Sequence, residues 1–374
     1  MPSTQFTSHP GNLRVGIIGG GFIGQIHARS IRVAGATIHG LADISLDRAR
    51  EVARQMGVGQ VFDSAAALIE SPEIDVVHIC TPNWTHAELA LRAIEAGKHV
   101  VCEKPLTTSV EDGQRLVEAS QAAGVVATVP FIYRFHPMAR ELRAQLQSDD
   151  AGAVHMVTGA YLQDWMSEPT DTDWRVDSAR GGATRAFGDI GSHLVDFIEF
   201  VIGDRLVTVR SAWRTVYPER AGAPVDTEDL GAVLFDLAGG GLGTLTVSQV
   251  APGYKNSLAL AVSTDRLSLK FDQESPENLW LGRRVGSQLL PRDTAQLGAD
   301  AARLCVAPGG HPLGYLDAFA AFVGDTYAAI AGNPPDGLPT FTDGLRVVTV
   351  IEAIAESART GASVTVAPTP ALSL

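Results

Sequence analysis

Short apolar runs alternate with amphipathic stretches through the first part of the chain. Leu13 to Ile18, Thr37 to Ala42, Asp75 to Cys80, His99 to Cys102 and Val125 to Val129 are brief and rich in β-branched residues, the pattern of strands buried on both faces. The stretches between them carry helix start and stop signals. Ile23, Ile26 and Ile31 mark one helix, closed by Gly35; Ser45 caps a second that runs to Met56; Asp63 is placed to cap a short third through Ile69. A fourth runs to Ala96 with Gly97 as its stop, and a fifth from about Ser109 to Ala123 with Gly124 beyond. Strand and helix alternate and polar residues gather at the strands' carboxyl ends, which predicts an α/β fold with a doubly wound parallel sheet of the Rossmann type.

After Pro130 the period changes. Following a helix near Pro137 to Gln147, the runs Val154 to Gln163, Val207 to Trp213, Gly231 to Leu237, Gly241 to Val250, Leu258 to Thr264 and Leu267 to Phe271 alternate apolar and polar residues. Hairpin-like links such as Ala238-Gly239-Gly240 join them, so a large, mostly antiparallel sheet is expected. Phe187 to Ile198 breaks this texture with helical spacing, Ile190, Leu194, Phe197, Ile198 and Val201 facing a core. Helices from Leu313 to Ala331 and Thr342 to Thr360, and an edge strand at Ser363 to Val366, close the chain, while Pro276 to Pro312 gives no clear pattern. The expected division is 1–131 for the Rossmann domain and 132–374 for an α+β domain that binds substrate and self-associates. Val233, Phe235, Leu237, Leu245 and Val247 exceed what one helical layer is expected to bury, which predicts sheet-to-sheet packing between subunits in a dimer or tetramer.

Composition narrows the partners. The chain has 374 residues, 45% hydrophobic and 19% charged, with a net charge of −13 and no basic run, which argues against nucleic acid or an anionic membrane. A bound phosphate must then be held largely by backbone amides. Met1 to Asn12 reads as a loose polar tail, no apolar stretch is long enough to span a bilayer, and three scattered cysteines suit free thiols in the cytoplasm. No H-x-x-x-H or C-x-x-C pair occurs, so no metal is expected.

Two clusters carry chemistry. Gly19-Gly20-Gly21-Phe22-Ile23-Gly24 joins the first strand to its helix in the order G-x-G-x-x-G, where glycines allow a tight turn and backbone amides approach a pyrophosphate. Asp43 ends the next strand nineteen residues after Gly24; an acid there accepts ribose hydroxyls and repels a 2'-phosphate, so NAD is favoured over NADP, with Arg48 the one residue that keeps NADP open. The second cluster is Glu103-Lys104-Pro105, at the carboxyl end of a buried strand, where open α/β sheets bind ligands. Asp189 and His193, four apart on one helix, share a face near its amino end, where the helix dipole favours an ionised aspartate.

Together with Thr81-Pro82-Asn83 and His86, these motifs stand in an order that resembles the Gfo/Idh/MocA family, relatives of glucose-fructose oxidoreductase and inositol dehydrogenase. The resemblance spans Leu13 to Val366. It implies an NAD(P)-dependent dehydrogenase acting on CH–OH groups, with Lys104, Asp189 and His193 in catalysis and Thr81, Asn83 and His86 lining the cofactor. Tyr161 to Trp165, Trp174-Arg175 and Pro308 to Pro312 are similar to the levoglucosan dehydrogenase-like sugar dehydrogenases of that family. Thr184-Arg185-Ala186 departs from the small or apolar residues that relatives carry there.

The chemistry expected is hydride transfer from a secondary hydroxyl of a sugar, sugar derivative or cyclitol to nicotinamide. The hydroxyl proton needs a base within hydrogen-bond reach, for which His193 is suited; Lys104 can stabilise the developing alkoxide and touch the cofactor ribose, and either one can be the proton acceptor. Asp189 would orient them, and Glu103 would meet the nicotinamide ribose. Tyr133, Arg134, Gln163, Trp165, Trp174, Arg175 and His311 are the candidate substrate contacts, aromatic faces for the ring and polar groups for hydroxyls. A redox-initiated glycoside-cleaving enzyme and a non-catalytic cofactor sensor are the alternatives on the same fold.

Overall fold

In the computed structural model, which describes residues 13–369, β1 (Arg14–Ile18) is a central strand of the first sheet, with Val15 and Ile17 fully buried. The expected tail, Met1 to Asn12, lies outside the described residues. Around β1 the chain adds α1 (Phe22–Val33), β2 (Thr37–Ala42), α2 (Leu46–Met56), β3 (Gln60–Val61), α3 (Ala65–Glu70), β4 (Val76–Ile79), α4 (His86–Glu95), β5 (His99–Cys102), α5 (Val110–Ala123) and β6 (Ala127–Thr128). All six strands run parallel in the order β3-β2-β1-β4-β5-β6. Chain direction reverses between β1 and β4, so the loops after these strands part and open a crevice at the sheet's carboxyl edge.

Local signals act largely as expected, with two corrections. The hydroxyls of Ser45 and Ser109 cap α2 and α5 by accepting the amides of Arg48 and Asp112. The third helix is capped by Ser64, accepting from Ala67, and not by Asp63. β6 is shorter than Val125 to Val129, because the Val129 amide leaves the sheet to donate to Pro339 O.

The rest of the chain forms α6 (Pro137–Leu146), β7 (Val154–Leu162), α7 (Ser178–Gly181), α8 (Ser192–Ile202), β8 (Leu206–Arg214), β9 (Glu219–Arg220), β10 (Ala223–Pro224), β11 (Leu230–Leu237), β12 (Leu242–Ser248), β13 (Ser257–Thr264) and β14 (Ser268–Asp272). β15 (Asn278–Arg283), β16 (Gly286–Pro291), α9 (Ala299–Arg303), α10 (Tyr315–Ile330), α11 (Phe341–Thr360) and β17 (Val364–Thr365) follow. Nine strands make a mixed sheet ordered β16-β15-β14-β13-β7-β12-β11-β8-β17, in which only the β7–β12 pair is parallel. The unpatterned stretch from Pro276 thus supplies the β15–β16 hairpin and α9. Val233, Phe235, Leu237, Leu245 and Val247 are buried on the sheet's inner face, so the helical layer does cover them. The uncovered residues are those between: Met156, Leu234, Leu242 and Trp280, with Thr158 and Thr244, share the outer face. Among the described residues no helix is long and apolar enough to cross a membrane.

α8 is buried on every side, not on one stripe, and its carboxylates are therefore paired: Asp196 with Arg134, Glu199 with Arg346. A wider π-type turn, Phe187–Gly191, leads into it. The Phe187 ring fills space that exists because residue 231 of β11 is glycine; a Cβ there would lie 2.5 Å from Phe187 Cε2. This packing fixes the turn against the sheet.

Arg134, a candidate substrate contact, is buried away from the sheet crevice. Its Nε donates to Asp196 Oδ2 at 2.8 Å, and its Nη2 contacts Asp196 Oδ1 and donates to Asp343 Oδ1 at 2.9 Å, tying the segment after β6 to α8 and α11. Its role is structural, because two buried carboxylates depend on one guanidinium. Arg134→Ala should destabilise the fold by about 3–5 kcal/mol, the cost of stranding a buried charge, read by denaturant unfolding; Arg134→Lys should lose less.

Candidate active site

Gly19 leaves β1 with φ +93°, and a Cβ there would sit 2.7 Å from Cys80 O at the end of β4. Gly24 packs as closely, its virtual Cβ 2.1 Å from Gly19 O, whereas Gly21 faces open space at the start of α1. The loop is thus pressed onto the sheet on one side and bare on the other, where first-turn amides are free of any side-chain cap. Asp43 Oδ2 accepts the Gly20 amide at 2.9 Å and Oδ1 accepts that of Ile44 at 2.7 Å, fixing a carboxylate beside the loop. A dinucleotide fits this set: amides for its pyrophosphate, Asp43 for a ribose diol. Phe22 and Ile23 project from the loop into the adjoining cleft.

That cleft, about 380 Å³, lies where the two sheets' territories meet. Thr81, Asn83, Glu103 and Lys104 enter it from the loops after β4 and β5; Asp189, Ile190 and His193 come from the π-turn and α8. Lys104 Nζ donates to Asp189 Oδ1 at 2.8 Å and Asp189 O at 2.9 Å, with each side chain 15% exposed. Asp189 Oδ2 accepts from Gln249 Nε2 at 2.8 Å, and Arg175 Nε stands 3.5 Å from Oδ1. Burial pushes the Asp189 carboxyl up, but the charges of Lys104 and Arg175 outweigh it and hold the group well below the usual carboxylate range. The helix amides do not do this: those of Arg185 and Phe187, at the turn's start, are taken by Glu228, whose carboxyl burial raises to about 7.

His193 lies among the rings of Phe131, Tyr133 and Tyr161, 5.0 Å from Tyr133 between centroids. Burial and then the Lys104 charge push its pKa well below the ordinary value, so the ring is neutral. Its Nδ1 is sealed without a partner, which leaves Nε2 as the nitrogen that can take a proton from the cleft. Opposite, Tyr133 OH lies 2.5 Å from Tyr161 OH, which donates to Asn256 Oδ1 at 2.6 Å; Asn256 Nδ2 returns to Tyr133 OH at 3.1 Å. Gln163 Nε2 also donates to Asn256 Oδ1, at 2.9 Å. Burial pushes the Tyr133 phenol up to about 12.

Glu103, just after β5, faces inward. Its Oε1 lies 3.0 Å from His27 Nε2, His27 Nδ1 is 2.7 Å from His78 Nδ1, and His78 Nε2 is 3.0 Å from Tyr327 OH, all four residues buried.

Of the expected cofactor residues, Thr81, Asn83, Glu103 and Lys104 line the cleft, although Asn83 Nδ2 also donates to Gly181 O, joining the two domains' loops. His86 does not: its ring is buried between Thr81 O and Pro105 O, 2.8 Å from each, and braces the loops that carry Thr81 and Lys104. Of the expected substrate contacts, Tyr133, Gln163, Trp174 and Arg175 line the cleft. Trp165 lies outside it, its indole donating to Gln163 Oε1, and His311 is an exposed residue whose carbonyl accepts from Arg292. Lys255, Asn256 and Tyr315 also line the cleft, as does Tyr161, which the sequence places in a resembling stretch but not among the substrate contacts, and Gln249 lies just behind it. Tyr161 and Gln163 stand in alternation on and after β7, a signal that could have found the tyrosine; Gln249, Asn256 and Tyr315 carry no local motif.

Residues 13–131 match the model of an oxidoreductase family with an NAD-binding Rossmann fold, and residues 139–269 match the GFO/IDH/MocA C-terminal domain. The chain is 28% identical to levoglucosan dehydrogenase of Pseudarthrobacter phenanthrenivorans over 93% of its own length and 96% of that protein's. Identity to myo-inositol 2-dehydrogenase of Thermotoga maritima is 28%, over 68% of this chain and 74% of that one. The solved complex of levoglucosan dehydrogenase with NADH and levoglucosan superposes with a TM-score of 0.90 at 29% identity, covering 95% of this chain and 99% of that one.

The fixed Asp43 carboxylate sets the cofactor preference. NAD should bind more tightly than NADP by calorimetry, and Asp43→Ser should narrow the gap by about tenfold or more, some 1.4 kcal/mol, through loss of repulsion toward a 2'-phosphate. Equal affinities in the unmutated protein would contradict this assignment.

Proposed function

Because the chain belongs to the Gfo/Idh/MocA oxidoreductase family, we propose that it oxidises a secondary hydroxyl of a neutral sugar, sugar derivative or cyclitol with NAD. The observation that carries this reading is the ionised Asp189 paired with the Lys104 ammonium, with the neutral ring of His193 lining the same cleft. Bound NAD supplies the hydride acceptor. Phe22, Ile23, Thr81 and Glu103 would hold its nicotinamide end, and Asp43 its adenosine ribose. His193 takes the hydroxyl proton on Nε2 as the C–H hydride departs, and Lys104 steadies the alkoxide that develops on the same oxygen. Asp189 keeps Lys104 directed and offsets the positive charge gained by His193. Levoglucosan and inositol dehydrogenases among the relatives support a polyhydroxylated substrate.

Charge pairing argues for a neutral one. Lys104 is engaged by Asp189, Arg175 by Asp173 at 2.9 Å, and Lys255 by Asp164 at 2.6 Å, so a phosphate would have to break an existing ion pair. Incubation with NAD and a panel of hexoses, anhydrosugars, inositols and sugar phosphates tests the reading. NADH formation with a neutral member is expected, and no reduction with any member would overturn it.

Lys104→Ala and His193→Ala should each lower kcat by roughly a hundredfold or more while NAD affinity changes little. His193 must be neutral to accept a proton, so the acid limb of kcat should lie well below pH 6.5. Removing the Lys104 charge raises the histidine pKa, so the residual activity of Lys104→Met should fail at higher pH than that of the parent. A His193→Ala enzyme with near-parental kcat would remove the histidine and leave Lys104 as the base.

The exposed outer sheet face supports self-association. Met156, Leu234, Leu242 and Trp280 form an apolar strip with threonines between, suited to packing on the same face of another copy. Light scattering at micromolar concentration should give a dimer or tetramer; a monomer mass would count decisively against it. The free thiols of Cys80, Cys102 and Cys305 support a reducing, cytoplasmic setting.

A further inference from the structure

Behind the cleft, Gln249 directly follows β12, and its surroundings define what it does. Its main chain is held on both sides: the amide donates to Asp229 O at 3.0 Å and the carbonyl accepts from Met166 at 3.1 Å. Asp229 in turn is anchored through its carboxylate by Arg185 and by Arg220 Nη2 at 2.7 Å, and accepts the amides of Val216 and Tyr217. Arg220 also donates to the carbonyls of Met166, Glu168 and Asp171, in the loop that leads to Trp174 and Arg175. The Gln249 side chain is fully buried, and among the described residues its only polar tie is Nε2 to Asp189 Oδ2, its Oε1 having no partner there. A flipped amide would set oxygen against an ionised carboxylate, so the charge of Asp189 fixes which way the amide points.

We propose that Gln249 is a positioning residue for the Asp189 carboxylate: it supplies the one neutral donor that satisfies Oδ2 and so turns Oδ1 toward Lys104. Lys104 and Arg175 both approach Oδ1, and without a donor on the other oxygen the carboxylate can rotate to share both oxygens with these cations. Lys104 then loses its direction into the cleft. Arg185, the departure from the family's small or apolar residues, belongs to the same device, since it helps anchor the strand segment on which Gln249 stands. The proposal rests on the dehydrogenase reading for its catalytic consequence, but the contact itself can be tested without turnover.

Gln249→Met keeps size and removes the donor; kcat should fall tenfold to a hundredfold at every pH, with KM for NAD within about twofold of the parent. Gln249→Glu gives a distinct signature. The titratable and charged groups near this carboxylate are Asp189, with Lys104, Arg175 and His193 around it and Tyr133, Tyr161 and Tyr315 coupled to it across the cleft, and Asp229 with its partners Arg185 and Arg220 on the neighbouring strand segment. Two carboxylates in contact share a proton, and the protonated glutamate donates to Asp189 as the amide did. Its folded-state pKa is raised above the unfolded value, so the contact is intact at low pH and lost as pH rises through the raised pKa. Activity relative to the parent should therefore be highest on the acid side and decline with rising pH, and the melting temperature relative to the parent should fall in the same direction. In the Gln249→Glu, Asp189→Asn double variant the like-charge contact is gone, and the pH-dependent loss of melting temperature should shrink. Parental kcat in Gln249→Met, or a Gln249→Glu melting difference that Asp189→Asn leaves unchanged, would overturn the proposal. An inactive parent would instead sink the dehydrogenase reading, while the melting series would still decide the contact.

Discussion

The Lys104–Asp189 ion pair is the constraint around which the molecule is arranged. One partner ends a strand of the parallel sheet, the other sits in a turn that rests on the mixed sheet, and the pair closes the space between them. A half-buried pair of this kind contributes little net stability, because desolvation offsets most of the attraction. Its value lies in geometry. Asp189 is held by Lys104, Gln249 and the nearby Arg175, so its position is set by groups from three separate parts of the chain. The π-turn that carries it is held just as firmly: Glu228 takes the amides at its start, Phe187 is lodged over Gly231, and the following helix is enclosed on all sides.

The cleft is therefore organised before any ligand arrives. Tyr161 donates to Asn256, so in the short Tyr133–Tyr161 contact the proton must come from Tyr133, and Asn256 closes the ring by donating back. Both phenolic hydrogens are used internally, and burial keeps both phenols protonated. Neither tyrosine is then a competing base, and both present lone pairs, which suit hydroxyl donors of a sugar. In the proposed reaction the proton falls to His193, whose neutrality follows from burial and the Lys104 charge together. Preorganisation of this sort places the cost of ordering in folding and not in the reaction.

Much of this was legible in the sequence, and what was not has physical causes. The parallel sheet could be read because its strands are short, doubly buried and punctuated by serine caps and glycine stops, signals that lie within a few residues of one another. The glycine loop, Asp43, Lys104, Asp189 and His193 could be placed for the same reason: each sits at a strand end or helix start that its neighbours announce. Arg134 misled because a guanidinium reads alike whether it faces a ligand or a buried carboxylate, and His311 because nothing local marks a histidine as exposed and outside the cleft; only the folded chain brings Asp196 and Asp343 to Arg134. Gln249 and Asn256 were silent because their partners lie 60 and 123 residues away and no local pattern marks a pairing across such distances. The inner face of the mixed sheet was read as the uncovered one because alternation alone fixes which residues share a face, not which face the helices cover.

The buried chain from Glu103 to Tyr327 shows the same economy at the cofactor side of the cleft. Burial keeps His78 neutral, so it has one ring proton to place. If that proton is on Nδ1, His78 donates to His27 Nδ1, His27 Nε2 donates to Glu103, and the Tyr327 hydroxyl donates to His78 Nε2; every group is satisfied and every donor points toward the carboxylate. With the proton on Nε2 the Tyr327 hydroxyl loses its acceptor. Burial alone would push the Glu103 carboxyl up, yet the His27 hydrogen bond, with Lys104 beside it, holds it below its usual value. Tyr327 stands on α10 and Glu103 follows β5, so one line of hydrogen bonds both fixes a charge at the cleft and ties the parallel sheet to the chain's closing helices.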